Sequence, residues 1–484
     1  MTTRERRAGS ALAIVIPIVL AVIAAVVLVV WLTKSDKPVD VGARESAAPI
    51  QAPAPDVPAQ PDPPAQPTQP SQPAPPAQPD QPVASVQSGG SAGSGSGSWP
   101  GFRGPALDGI SPEKVGLARS WPASGPKKLW SVSLGRGHAG AAVRDGRVYV
   151  LDYDERTGAD TLRCLSLDDG KEIWKQSYPV QLKYNHGLSR TTPAVTSKYV
   201  VTIGPRANVM CCSAASGEVI WKKDLVKEYG SKIPSWYASQ SPIIHGGKVI
   251  IAPGGSALMI AVDIASGAVA WTTPNPDGWQ MSYASITPMK LGGAMAYVYP
   301  TTEGVIAVST SGKLMWKFPG WKVSTANCPN AVDCGGGLIF LSGGYSAGSM
   351  MLKAGGSSVS QVFKLNQKTF GSHHHTPILH NGHLFGVNIG DQQFVCLDLK
   401  GNSVWSSGHT ARFGLGPYLM AEGMFYVLSA EGTLVLAEAS TSGYKELARA
   451  QVVGGNAWGP MAMAGGWLIL RDETTMVCLD VKNP

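Results

Sequence analysis

Residues 261–271 read "AVDIASGAVAW", and the way this stretch recurs decides the fold. An apolar run meets a tight turn at Ser266-Gly267, and a short strand then closes on Trp271. Four other segments also place a tryptophan four residues after a glycine. They are "CLSLDDGKEIW" ending at Trp174, "CCSAASGEVIW" at Trp221, "AVSTSGKLMW" at Trp316 and "CLDLKGNSVW" at Trp405. The steps from Trp174 to Trp221, Trp271 and Trp316 are 47, 50 and 45 residues; the step of 89 to Trp405 holds two periods. "VFKLNQKTF", ending at Phe370, stands as the degenerate copy between them, and "LAEASTSGYKEL" is another near 436–447.

A second pattern interlocks with the first. "TTPAVTSKYVVTIGP", "QSPIIHGGKVIIAPG", "ITPMKLGGAMAYVYP", "HTPILHNGHLFGVNI", "LGPYLMAEGMFYVLS" and "WGPMAMAGGWLILRD" each set a proline before a short apolar strand, a turn and a second strand. Proline is tolerated at the first residue of a strand, where its missing N–H lies at the end of the ladder. Each unit therefore reads as four short antiparallel strands, and four strands per 40–50 residues is a β-propeller blade. The expectation is an all-β, eight-bladed propeller over 99–484. Its eighth blade lacks a tryptophan strand of its own, and "KKLWSVSL" (127–134, with Trp130) would supply it, so that N- and C-terminal strands close the ring. Seven blades is the alternative if the degenerate fifth unit is wrong.

These repeats resemble those of the pyrroloquinoline-quinone (PQQ) dehydrogenases, roughly A-x-D-x-x-T-G-x-x-x-W, with Ser266 in place of Thr. The resemblance covers about 127–484, and "WPGFRGP" (99–105) is similar to a segment preceding such propellers in bacterial envelope proteins. It implies that Trp130, Trp174, Trp221, Trp271, Trp316 and Trp405 dock neighbouring blades. Two groups share the repeat: quinoprotein alcohol and sugar dehydrogenases, and the non-catalytic BamB-type scaffold of outer-membrane assembly. Fold alone does not choose between them.

An enzyme of the first group would need PQQ, a Ca²⁺ site of oxygen ligands and an Asp general base. No carboxylate precedes the proline strands, so no catalytic, cofactor-binding or metal residue is assigned and no cofactor is expected; the PQQ–Ca dehydrogenase remains the alternative. Adjacent Cys211 and Cys212 suggest the vicinal disulfide of some quinoproteins. They lie inside the repeat, however, where neighbouring side chains face opposite ways and small cysteines pack. Aligned on the turn glycine, Cys212 corresponds to Cys396 and Cys478, and Cys211 to Cys164. Cys328 and Cys334 are the other candidate pair among seven cysteines.

The first 98 residues differ in kind. Residues 1–10 form a short N-terminus containing Arg4, Arg6 and Arg7. Residues 11–33 are an uncharged apolar stretch of the length that spans a bilayer, at about 20 residues. The charge bias places the N-terminus in the cytoplasm and the propeller in the periplasm or another extracytoplasmic space. The stretch lacks a signal-peptide cleavage site, so it reads as a single-pass anchor. Residues 34–98, Pro/Gln-rich and then Gly/Ser-rich, read as a disordered linker. The net charge of +7 comes without clustered Lys/Arg and aromatics, which argues against nucleic acid.

If the proline strands surround the axis, the residues before each proline ring the channel mouth. Three positions before lie Arg190, Ser239, Ser285, His374, Gly414 and Ala457, with His138 in the matching place of blade one. Two positions before lie Thr191, Gln240, Ile286, His375, Leu415 and Trp458. An extended approach would turn the two sets to opposite sides. On the same reasoning His373 and His375 would share a side and His374 would not, which leaves at most two local metal ligands. Tyr184, Asn185, His186, Trp236, Tyr237, Trp279, Tyr283 and Asn327 occupy the loops before the strands. The candidate channel-mouth residues are thus His138, Arg190, Tyr237, Gln240, Tyr283, Asn327, His374, His375 and Trp458. Such a face suits envelope proteins or a peptide or carbohydrate ligand.

Overall fold

A computed structural model describes residues 85–483. The spanning helix expected over 11–33, and the linker as far as residue 84, lie outside the described residues. Among those described, no helix is long and apolar enough to cross a membrane; one short helix, Leu225–Tyr229, follows the second blade.

The apolar runs form eight antiparallel sheets, one per repeat. In the third blade, for example, Ile243–His245, Lys248–Ile251, Ala257–Asp263 and Val269–Pro274 pair in sequence order. The eighth blade consists of Ala462–Ala464, Trp467–Arg471, Thr475–Asp480 and the N-terminal strand Lys127–Ser133, whose Trp130 lies opposite Cys478. The ring closes as the sequence implies, with eight blades. Innermost strands of neighbouring blades touch one another, so they wall the axis.

The tryptophans sit at the seams. Trp130 Nε1 donates to Leu167 O of the next blade (2.8 Å), Trp174 to Ala214 O (3.3 Å), Trp221 to Ile264 O (2.8 Å) and Trp405 to Ser440 O (3.1 Å). Trp271 and Trp316 are placed alike, but their ring nitrogens have no partner among the described residues. The turn glycines exist for these rings. A Cβ on Gly170, Gly217, Gly267 or Gly312 would enter the face of Trp130, Trp174, Trp221 or Trp271 at 2.4–2.9 Å. Apolar clusters accordingly span the seams; one joins Trp316 and Val298 to Leu341 and Met350 of the following blade.

Strand pairing corrects three details. The fifth blade is Val332–Asp333, Leu338–Gly343, Gly348–Ala354 and Val359–Leu365, so "VFKL" belongs to its outermost strand. The residue opposite Met351, in the tryptophan position, is therefore Phe363 rather than Phe370. Cys211, not Cys212, shares the place of Cys164, Cys396 and Cys478, each opposite a seam tryptophan. The turn before Trp405 is one residue shorter, which misled an alignment on glycine. All seven cysteines are free thiols, and Cys211 and Cys212 pack into different clusters.

Residues 85–98, expected as part of the linker, are placed on the propeller. Val86–Gln87 adds a fifth strand to the outer edge of the first blade. Asp168 binds the backbone N–H groups of Ser94 and Gly95. A glycine-rich chain without side chains can approach a sheet closely, and here Gly97 lies against Gly465. The chain then crosses the axis. Pro100 O accepts from Val195 N of the second blade (2.8 Å), and three residues later the Arg103 guanidinium binds Thr376 O (2.7 Å) and Pro377 O (3.1 Å) of the sixth. Ile110–Ser111 finally pairs in parallel with the inner strand of the seventh blade. In an eight-bladed ring the second and sixth blades face each other, so "PGFR" (100–103) is a bar across the channel.

Candidate functional site: a blind axial cavity

Pairing, rather than proline, gives the register at the axis. The inner-strand residue in line with the seam position is Ala142, Ala194, Ile243, Thr287, Val332, Ile378, Leu419 and Ala462 in successive blades. Four residues before each lie His138, Arg190, Ser239, Tyr283, Cys328, His374, Leu415 and Trp458. All eight line one cavity of about 280 Å³.

The two sets expected from sequence are thus mixed around the ring. Proline sits two residues deeper in the fourth blade, whose first hairpin is longer, and one residue earlier in the seventh and eighth. Two positions further along each strand, side chains bind the backbone of the preceding blade. Ser241 Oγ accepts from Thr192 N (3.0 Å), Ser285 Oγ from Ser241 N (2.9 Å), Asn330 Oδ1 from Ser285 N (2.7 Å) and Thr376 Oγ1 from Asn330 N (2.8 Å). This chain of bonds holds the wall beneath the ring.

Of the candidate residues, His138, Arg190, Tyr283, His374, His375 and Trp458 line the cavity. Tyr237, Gln240 and Asn327 do not. The Tyr237 hydroxyl donates to Lys183 O (2.7 Å), the Gln240 amide bonds Ala252 on both sides, and Asn327 Nδ2 donates to Thr301 O (3.2 Å). These bonds tie the three side chains to the blades rather than to the cavity. Trp236, His186, Tyr345 and Ala326 complete the wall, and Phe102 of the crossing bar contributes from below. "WPGFRGP" was visible as a distinct segment, but no local pattern tells that Phe102 reaches the axis.

The histidine run bends rather than extends, so His373, His374 and His375 all border the cavity. His373 and His374 stack at 5.4 Å, His373 lies 4.2 Å from the Tyr345 ring, and His375 faces Tyr418 at 6.1 Å. The rings thus splay toward different neighbours. Among the described residues no group of three or more His, Cys, Asp or Glu is arranged to hold a metal ion. His138 and His374 do look into the same space: Trp458 stacks on His138 at 4.8 Å and meets His374 edge-on at 5.7 Å.

Burial sets the charge state. It lowers His138 to about 3, helped by the Arg471 and Arg190 charges, lowers His375 to about 4, and holds His374 well below the usual imidazole value. It pushes the Cys328 thiol up to about 12. Near neutral pH the ring therefore presents neutral imidazoles, a protonated thiol and one cation, Arg190. A general base near 3 is far from the operating range of most enzymes, and a thiol near 12 is no nucleophile. Among the described residues no Asp or Glu lines the cavity, so the donor set fits neither a Ca²⁺ ion, which wants carboxylate and carbonyl oxygens, nor the carboxylate base of a quinone dehydrogenase.

The profile of the family described as outer membrane protein assembly factor BamB matches residues 122–185 and 158–407, more than half of the chain. A search of the curated proteins found no match. Among solved structures, BamB from Moraxella catarrhalis is similar at 13% identity and a TM-score of 0.53, over 73% of this chain and 99% of that one. A quinohemoprotein alcohol dehydrogenase from Pseudomonas putida is similar at 13% identity and a TM-score of 0.55, over 80% of this chain and 81% of that one. At these identities the likeness is one of fold, and it reaches scaffold and enzyme alike.

Proposed function

The chain belongs to the outer membrane protein assembly factor BamB family, and on that premise we propose that its propeller is a non-catalytic binding and protein-interaction scaffold of the cell envelope. The observation that carries this reading is the axial ring. Eight blades deliver eight side chains to one concave site, and none is a carboxylate, a thiolate or a charged imidazole. Such a wall binds; it does not abstract protons or ligate calcium. Around its mouth Tyr184, His186, Trp236 and Tyr283 offer the aromatic surface that peptide, carbohydrate or protein partners use. In this proposal residues 11–33 anchor the chain with its N-terminus in the cytoplasm, and the tether lets the propeller reach partners outside.

Crosslinking in intact membranes, followed by purification of the chain, tests the scaffold. Expected is capture of discrete envelope proteins that is lost when Tyr184 and Trp236 are both changed to Ala. Capture that survives the double change, or a chain that never crosslinks, overturns it. The dehydrogenase alternative would show itself as dye-linked alcohol or sugar oxidation after addition of PQQ and Ca²⁺.

A further inference from the structure

Five buried nitrogens at the axial cavity have no hydrogen-bond partner among the described residues: His138 Nδ1, Arg190 Nε, His373 Nδ1, His375 Nε2 and Trp458 Nε1. Two of them, on Arg and Trp, can only donate. The other side chains of the wall are aromatic, apolar, hydroxyl, thiol or imidazole, so the site has an excess of donors and no anion of its own. Arg190 is central to this imbalance. Its Nη2 donates to the carbonyls of Asn185 (2.8 Å) and His186 (2.7 Å), and more weakly to Gly187. That pins the guanidinium to the loop while its remaining nitrogens bond nothing in the described chain. Arg190 makes no ion pair among the described residues, and a largely desolvated cation without a counter-charge is costly.

The remaining wall specifies what would accompany an acceptor. Trp236 packs against Tyr283 at 5.9 Å, Trp458 stacks on His138, and Phe102 forms the floor. These are flat, rigid surfaces suited to a planar or branched apolar body. A volume of about 280 Å³ lies just below the usual range of ligand cavities, about 300 to 1,000 Å³, and suits a small molecule. One unpaired cation matches one negative charge. A phosphate dianion would exceed it, and the planar guanidinium suits a carboxylate's paired oxygens.

We propose that the axial cavity binds a small organic carboxylate, with Arg190 receiving the carboxylate and Trp236, Trp458 and Phe102 enclosing an aromatic or branched apolar body. The proposal rests on the reading of the propeller as a binding module but not on its protein partners. The wall then splits into roles. Trp458 Nε1–H and His138 supply secondary hydrogen bonds, and the neutral histidines keep the site from attracting anions indiscriminately. The bar at 100–103 makes the site blind, so a ligand enters and leaves by the mouth beside Trp236.

Titration of the full chain in detergent, followed by calorimetry and tryptophan fluorescence, tests this with phenylacetate, phenylacetamide, acetate and inorganic phosphate. Phenylacetate is expected to bind, and the neutral amide of the same shape at least about tenfold more weakly. Acetate, lacking the apolar body, and phosphate should both be weaker than phenylacetate. Arg190→Lys should keep part of the affinity, and Arg190→Gln should lose it. Ser239→Trp, which fills the cavity while keeping Arg190 in the sequence, should abolish binding in a protein that still melts cooperatively. Equal affinity for acid and amide, preference for phosphate, unchanged binding in Ser239→Trp, or no binding by any probe at millimolar concentration overturns the assignment. Membrane crosslinking of the same variants is scored separately. Lost carboxylate binding with intact partner capture separates this proposal from the scaffold reading.

Discussion

The buried histidines make the propeller sensitive to acid in a way that can be worked out for one of them. His138 is 7% exposed, stacked on Trp458 and flanked by Arg190, His186 and Arg471, and its folded value is about 3. In the unfolded chain an imidazole titrates near 6.5. Between these values the unfolded state holds a proton that the folded state lacks, so stability is fully present above about pH 6.5 and is lost as the pH falls. From about pH 7.5 to about pH 5, linkage puts the loss at about 2 kcal/mol for this residue alone. Other groups titrate too. Asp160, raised to about 7 by burial although Tyr178 and Ser189 donate to it, works in the opposite sense, because its folded form takes up a proton as the pH drops. The measurement must therefore be a difference. His138→Phe keeps an aromatic ring against Trp458 and leaves Asp160 untouched. Urea unfolding of parent and variant, each at both pH values, should show the variant's stability relative to the parent rising by about 2 kcal/mol on acidification. Parallel pH profiles would refute the claim that His138 stays neutral in the folded ring.

Three further outcomes follow from the packing. Trp130→Phe should cost about 1 kcal/mol more than Trp271→Phe in urea unfolding, because only Trp130 loses a seam hydrogen bond, to Leu167 O. Arg103→Met strips buried bonds from Leu107, Asp108, Thr376 and Pro377 carbonyls and should destabilise the fold by about 2–4 kcal/mol, with faster proteolysis between 99 and 110. Glu113→Ala frees the N–H groups of Ser98 (2.7 Å) and Gly465 (2.6 Å), so hydrogen exchange at those two amides should rise without loss of the blades.

The fold was legible because its repeat is dictated by a contact every blade must make. A tryptophan crossing a seam needs a neighbouring turn without a side chain, and the two residues recur together. Ring closure followed from the same logic, since the eighth blade lacked an outer tryptophan strand and Trp130 lacked a blade. Proline proved a poor ruler. It marks the start of a strand by removing a donor, and that demand is met equally well two residues deeper, as at Pro288, or slightly earlier, as at Pro417 and Pro460. Arg190, His374 and Trp458 were still identified, because their offsets from proline bracketed the true register, and His138 through its matching place in blade one. Cys328 was missed as a ring member because its proline, Pro329, stands three residues before the in-line Val332 instead of beside it. The fifth blade was misread for a related reason: Phe363 fills the seam with an aromatic, but its turn does not follow the glycine-to-tryptophan spacing.

The leading segment carries a role that its composition conceals. A propeller closed by one strand is joined only through the pairing of Lys127–Ser133 with Thr475–Asp480, and the blades on either side of that join are the seventh and the first. Residues 86–117 bind all three blades concerned. Val86–Gln87 extends the first, Glu113 clamps Gly465 in the eighth, and Ile110–Ser111 pairs with the seventh, where Glu422 receives the N–H groups of residues 115–117. The same strap crosses the axis and sets Phe102 beneath the cavity. Closure of the ring and closure of the cavity floor are therefore one structural event, made by a stretch whose glycines and serines read as linker. A load applied through the chain before residue 85 would reach this strap before the closing strand. The strap thus secures both the joint of the ring and the depth of its binding site.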